Sequence, residues 1–237
     1  MATISHETTR RSLHRVAAHV LGRRRFEVSG HFGLRASPGG VATPAFGEEP
    51  EAIRLSGVWL VRELGGLSAV TTVSGATLRD LVGFAGADVD APFSAGEATP
   101  PLGDVDAPIE LDASATGAIA QWFGLGWRVL DEVLASLPAS AEPATTQLWP
   151  EHFDAATHVG LSSGTRVNLG FSAGDDFEPE PYLYVGPWTP ERPGDPEYWN
   201  APFGALMRSS DIGAGADAGR RCVDFLLAGL ANASHTA

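Results

Sequence analysis

The chain of 237 residues, 43% hydrophobic and 19% charged, has an ordinary globular composition and enough length to bury a core without disulfide staples. Its net charge of −13 speaks against a nucleic-acid partner and against docking on an anionic membrane, since both need basic surface. All 16 basic residues are arginine, which removes Schiff-base, P-loop and kinase-type lysine chemistry, and the single Cys222 removes internal disulfides, CxxC redox pairs and multi-thiolate metal sites.

The charge is unevenly spread. Arg10, Arg11, Arg15, Arg23, Arg24, Arg25 and Arg35 crowd the N-terminus, whereas no basic residue separates Arg79 from Arg128. The simplest consequence is that the basic segment neutralises the acidic one within the fold. Residues 5–21 predict a helix with Leu13, Val16, Ala17, Val20 and Leu21 on one face. His14 and His19, five apart, do not share an α-helical face and are expected at the surface. From Arg25 the period becomes two, which predicts a strand through Ala36. Ser37-Pro38-Gly39-Gly40 then matches a type II turn into a second strand over 41–46. Gly65-Gly66 marks a hairpin between 57–64 and 67–73, and 77–84 predicts a short helix. Residues 85–108, rich in Gly, Pro, Ala and acids, read as a long solvated loop between possible sub-lobes 1–84 and 109–237 of a single domain, residues 1–237. Asp112 is the expected N-cap of a long helix over 113–136, stopped by Pro138. Inside it Gly124 and Gly126 weaken the helix unless they admit a close neighbour.

Three short strands follow, over 153–161, 165–173 and 181–188, each alternating between an apolar set and a polar or aromatic set. Ser162-Ser163-Gly164 suits a three-residue hairpin loop with Gly164 at positive φ, which pairs Val159 with Val167, His158 with Asn168 and Asp154 with Ser172. The fold class expected is α+β: antiparallel N-terminal and C-terminal hairpins, in one sheet or two, packed with a long central helix and terminal helices. No h-region and no apolar run of about 20 residues is present, so a soluble, cytoplasmic chain without a membrane span is expected.

The C-terminal part carries the blocks LWPEHFD (Leu148–Asp154), GDD (Gly174–Asp176), PYLYVGPW (Pro181–Trp188) and WNAPFGA (Trp199–Ala205). In these it resembles an uncharacterised bacterial protein family, most clearly over the last 90 or so residues, and the resemblance implies a grouping with no assigned activity. The polar strand face gathers His152, Asp154, His158, Arg166, Asn168, Ser172, Tyr182, Tyr184 and Trp188, with Asp175 and Asp176 in a loop at one end. As a metal site it is opposed by distance, because His152 and His158 would stand about 20 Å apart on an extended strand; His152 and Asp154, about 7 Å apart at Cα, could converge but would need Asp175 or Asp176 brought in from the loop. No metal or cofactor is expected. The leading expectation is a small-molecule-binding or structural domain whose ligand meets His158, Arg166, Asn168, Tyr182, Tyr184 and Trp188. One alternative is a metal-independent enzyme in which His152 is a general base oriented by Asp154. Another is an oligomeric or interaction module using Tyr182, Tyr184, Trp188 and Trp199.

Overall fold

The computed structural model describes residues 4–213 and 215–235. The chain is α+β, with two separate five-stranded antiparallel sheets, a long central helix and terminal helices. It forms two compact units: the residues up to Gly124 with Leu148–Phe153, and Leu125–Gln147 with the residues from Asp154 onward. No helix among the described residues is long and apolar enough to cross a membrane.

In the first unit, Ser5 caps α1 (His6–Val16) by accepting from the Thr8 N–H. The helix then passes through a π-turn, Ala17–Gly22, into α2 (Arg23–Ser29). The expected strand from Arg25 is therefore helix as far as Ser29. Its period-two residues Phe26 and Val28 remain 41% exposed, and Gly30, at φ 71, closes the helix in the left-handed conformation with its N–H on the Phe26 carbonyl. Tertiary bonds hold this segment helical: Arg24 reaches Glu51 and Arg25 reaches the Gly33 carbonyl.

The expectation of surface histidines is also overturned. A π-turn steps by five residues rather than four, and the whole of 16–23 is buried. His14 Nε2–H donates to the carbonyls of Pro150 (3.0 Å) and Glu151 (3.1 Å), and its ring stacks on Phe153 at 5.4 Å. His19 donates to the Pro100 carbonyl at 2.7 Å. The segment 85–108 is irregular, as expected, but fastened rather than merely solvated. Arg15 donates to the carbonyls of Leu102 and Asp104, Arg23 to those of Asp88 and Ala91, and Arg79 bridges Asp90 and Asp106. The basic N-terminus thus meets the acidic stretch mostly through main-chain oxygens.

The first sheet is a meander of β1 (Arg35–Ser37), β2 (Gly40–Ala42), β3 (Glu51–Ser56), β4 (Trp59–Leu64) and β5 (Leu67–Thr72), paired in chain order. Gly39 at φ 79 meets the type II turn, and Gly65 and Gly66, at φ 58 and 80, make the primed turn between β4 and β5. The alternation of β3 is broken at its start, where a charged residue, Glu51, faces inward and an apolar one, Ala52, outward; Glu51, Ile53 and Leu55 point to the core. Thr77 and Asp80 form a capping box that opens α3 (Leu78–Phe84).

Asp112 caps α4 (Ala113–Ser136) through Oδ1 on the Ala115 N–H, as its position predicts. In the second unit, α4 approaches the sheet at Gly126, where a Cβ would lie 2.6 Å from the Phe171 ring. This is the close neighbour that explains a glycine inside a helix. The second sheet orders β10 (Ala205–Arg208), β9 (Tyr182–Pro187), β8 (Arg166–Ser172), β7 (Asp154–Gly160) and β6 (Gln147–Trp149). Its apolar face carries Val159, Val167, Leu169, Phe171, Leu183 and Val185, all fully buried. After α5 (Ser209–Ile212), α6 (Ala218–Ala233) packs on β9 through Gly229, where a Cβ would come within 2.6 Å of Val185. Cys222 is buried in α6, and burial pushes its thiol up to about 11, so it is a structural residue at neutral pH.

Two outcomes follow. Leu130, fully buried in α4, should cost about 2–5 kcal/mol when truncated to Ala, measured by denaturant unfolding. Burial lowers the His14 pKa from 6.5 to about 4 despite its bonds to the Glu151 and Pro150 carbonyls, with Arg10 and His152 adding to the drop. The unfolded chain therefore takes up this proton first. The stability involved is intact above 6.5 and is lost progressively as pH falls toward about 4, by about 3 kcal/mol. His14→Gln, compared with the native protein by urea titrations across that range, should flatten this part of the pH profile.

Candidate functional site

The site is built on the register of β7, β8 and β9, all within the second unit. Gly164 stands at φ 84 and donates to the Leu161 carbonyl, closing the Ser162-Ser163-Gly164 loop. The register then follows as the loop predicts: Val159 pairs with Val167, His158 with Asn168 and Asp154 with Ser172. Continuing across β9, Ser172 lies beside Tyr182, Gly170 beside Tyr184 and Asn168 beside Gly186. The polar face is therefore a single row system with two different ends.

One end is closed. The Tyr184 hydroxyl donates to Asp154 Oδ2 at 2.5 Å, its ring lying across Gly170, where no Cβ fits. The Tyr182 hydroxyl donates to Asp175 Oδ2 at 2.6 Å. Phe203 packs against both tyrosine rings, with centroids 6.3 Å from Tyr182 and 6.1 Å from Tyr184. Burial raises both phenol pKa values, and the neighbouring carboxylates of Asp154 and Asp175 raise them further, so both hydroxyls stay protonated donors. Asp175 also accepts from the N–H groups of Phe177 and Glu178 through Oδ1, so the GDD loop is at once a turn and a phenol acceptor. Phe203 was missed as part of this cluster: nothing local in WNAPFGA shows which strand it faces. Asp154, Asp175, Tyr182 with Tyr184, and Phe203 come from the four sequence blocks in turn.

The other end is open. Arg166 Nη1 lies 2.7 Å from His158 Nδ1. A guanidinium only donates, so Nδ1 is the acceptor, and the imidazole is neutral with its proton on Nε2. Burial and the adjacent Arg166 both lower the His158 pKa, in keeping with that neutral form. Trp188, 57% exposed, sets its ring edge-on to His158 at 5.2 Å and donates its indole N–H to Asn168 Oδ1 at 2.7 Å. The counter-charge of Arg166 is Glu142, 3.6 Å away and 78% exposed, a residue the sequence offers no reason to place here.

His152 and Asp154 find their neighbours within different units. His152 sits in the turn before β7, with Nε2 3.6 Å from Glu151 Oε1 and a side chain 57% exposed. Phe153 between them takes φ 55, so the strand begins at Asp154 and not at Phe153. Asp154, 6% exposed, turns inward to Tyr184. Trp199 donates its indole N–H to the Pro193 carbonyl and meets Tyr198 edge-on, while Asp176 follows Asp175 in the loop. Comparison with protein-family models, with curated proteins and with solved structures returned no match.

The closed end yields a test of its own. Gly170→Ala would drive a methyl into the Tyr184 ring and displace the hydroxyl from Asp154. A loss of about 1–3 kcal/mol is expected from overpacking alone. In a double-mutant cycle of thermal melts, Gly170→Ala should cost less in a Tyr184→Ala background than in the native one, because its cost arises from that one collision.

Proposed function

We propose that the second unit is a small-molecule-binding module whose site is the open end of the sheet face, formed by His158, Arg166, Asn168 and Trp188. The closed end, with Tyr182 and Tyr184, is its rigid support. The ligand class that suits these groups is a small planar molecule bearing a carboxylate or phosphate. Arg166 supplies charge-assisted donors, the His158 Nε2–H a further neutral donor, and the exposed indole of Trp188 an apolar surface for a ring.

The observation that carries this reading is the Arg166–His158 bond beside the exposed Trp188. Packing a cation against a histidine holds that ring neutral and orients it, so a ligand meets donors already in place. Arg166 pairs with the exposed Glu142 carboxylate, 3.6 Å away, whose attraction is largely screened. An incoming anion can displace it at small cost.

Benzoate and phenyl phosphate serve as probes, titrated into the full chain and followed by the indole and imidazole NMR signals of Trp188 and His158. Saturable shifts confined to this end are expected. Arg166→Met should weaken binding about tenfold or more, the worth of a charge-assisted hydrogen bond. Glu142→Gln should strengthen it by removing the competing carboxylate. Probes that give no saturable shift, or that bind the Arg166→Met protein as tightly as the native one, would end this reading.

A further inference from the structure

We propose that β5 is the seam of a homodimer, in which two copies of this chain join edge to edge, antiparallel, about a two-fold axis through Val70.

The sheets end in four edge strands, and three of them are guarded. β1 is three residues long and carries Arg35, with Pro38 just beyond it. β6 is three residues long and runs into Pro150. β10 has four residues and ends on Arg208. Short strands, charges and prolines are the usual means by which an edge avoids pairing with another chain. β5 has none of them. It is six residues long, LSAVTT, with every position but Thr71 exposed, and no charged residue or proline stands anywhere between Leu64 and Leu78. Leu67 is 78% exposed, Val70 58% and Trp59, on the neighbouring β4, 49%.

The hydrogen-bond pattern selects the occupant. The two-residue Gly65-Gly66 turn closes on the pair Leu64–Leu67, which in such hairpins exchanges both bonds, and the pattern alternates from there. Leu67, Ala69 and Thr71 therefore turn their main-chain groups toward β4, and the bond from the Val73 N–H to the Val58 carbonyl continues that phase. The N–H and C=O groups of Ser68, Val70 and Thr72 point out from the edge. A second β5 related by a two-fold axis through Val70 sets Val70 opposite its own copy and Ser68 opposite Thr72 on both sides. Every outward group then finds a partner, with both faces in phase.

The same register extends the cross-strand row Val61–Val70 into its copy, giving four valines across the seam, with Trp59 one row away. Electrostatics agree. Two chains of net charge −13 repel each other over most of their surface, and the repulsion is least along a strand with no charge of its own. A seam of this length is small, which sets a weak, concentration-dependent association.

Sedimentation of the full chain over a concentration series tests this. The native mass should rise from 24.8 kDa toward twice that value. Val70→Lys, which places two like charges on the axis at an exposed position, should remain at the single-chain mass at every concentration with an unchanged circular dichroism spectrum. Val70→Cys should cross-link under mild oxidation, because directly paired residues on this axis have Cα atoms about 5.5 Å apart. Thr71→Cys, whose opposite number is Ala69, should not, and the native Cys222 is buried and gives no background. A native protein that stays at the single-chain mass throughout, a Val70→Lys protein that still dimerises, or cross-linking equal at both cysteine positions would overturn the proposal.

Discussion

Glu51 places a carboxylate, 2% exposed, on the core side of β3, and a charge in that position is tolerated only if its desolvation is offset by partners of excellent geometry. Here there are two. Arg24 from α2 binds both carboxylate oxygens, at 3.2 and 2.8 Å, and Arg62 from β4 binds Oε1 at 2.8 Å. The same two guanidiniums reach the carbonyls of Gly86 and Phe84 at the end of α3. One buried charge thereby ties together a helix, two strands and the exit of a second helix. Either arginine alone still pairs the carboxylate, whereas loss of both would strand it, a change that typically costs about 3–5 kcal/mol.

The rest of the first unit obeys the same constraint. The helical segment from His14 to Arg23 is buried along most of its length, so its polar side chains must find partners where water cannot reach. Most of the partners are main-chain oxygens, although His19 Nδ1 and the Nε atoms of Arg15 and Arg23 are buried without one. His14 takes the carbonyls before Phe153, His19 that of Pro100, and Arg23 those of Asp88 and Ala91, with Phe93 under the guanidinium at 5.2 Å. A loop without secondary structure of its own becomes ordered because it supplies acceptors to a helix that needs them. The histidines stay neutral in this role, since burial disfavours the charged ring.

The second unit divides its polar face by depth. At one end Tyr182, buried, and Tyr184, half-buried, donate to Asp175 and Asp154, and Phe203 packs against both rings. Such a cluster holds the strands in place and offers little to a ligand. At the other end, Gly160 and Gly186 carry no side chain, and the carbonyls of Ala141 and Phe203 stand 3.4 and 3.6 Å from where a Cβ would lie, beside the His158–Arg166 and Asn168–Trp188 pairs.

Local chemistry was enough for the elements whose cause is local. The Ser162-Ser163-Gly164 loop, the Gly65-Gly66 turn, the Pro38-Gly39 turn and the Asp112 cap each depend on one or two residues whose conformational preference is strong, and the register of β7 and β8 follows from the first of them. The strand face bearing Asp154, His158, Arg166, Asn168, Tyr182, Tyr184 and Trp188 was legible for the same reason, since alternation and register together decide which side chains share a side. What the sequence could not decide is depth and partnership. Period-two residues Phe26 and Val28 lie on a helix because Arg24 has Glu51 to reach, and β3 forms although its first inward residue, Glu51, is charged. Likewise only the tertiary structure assigns Tyr184 to Asp154, Glu142 to Arg166 and His158 to a neutral ring, because each of these depends on long-range packing, which excludes water from one carboxylate and leaves another in it.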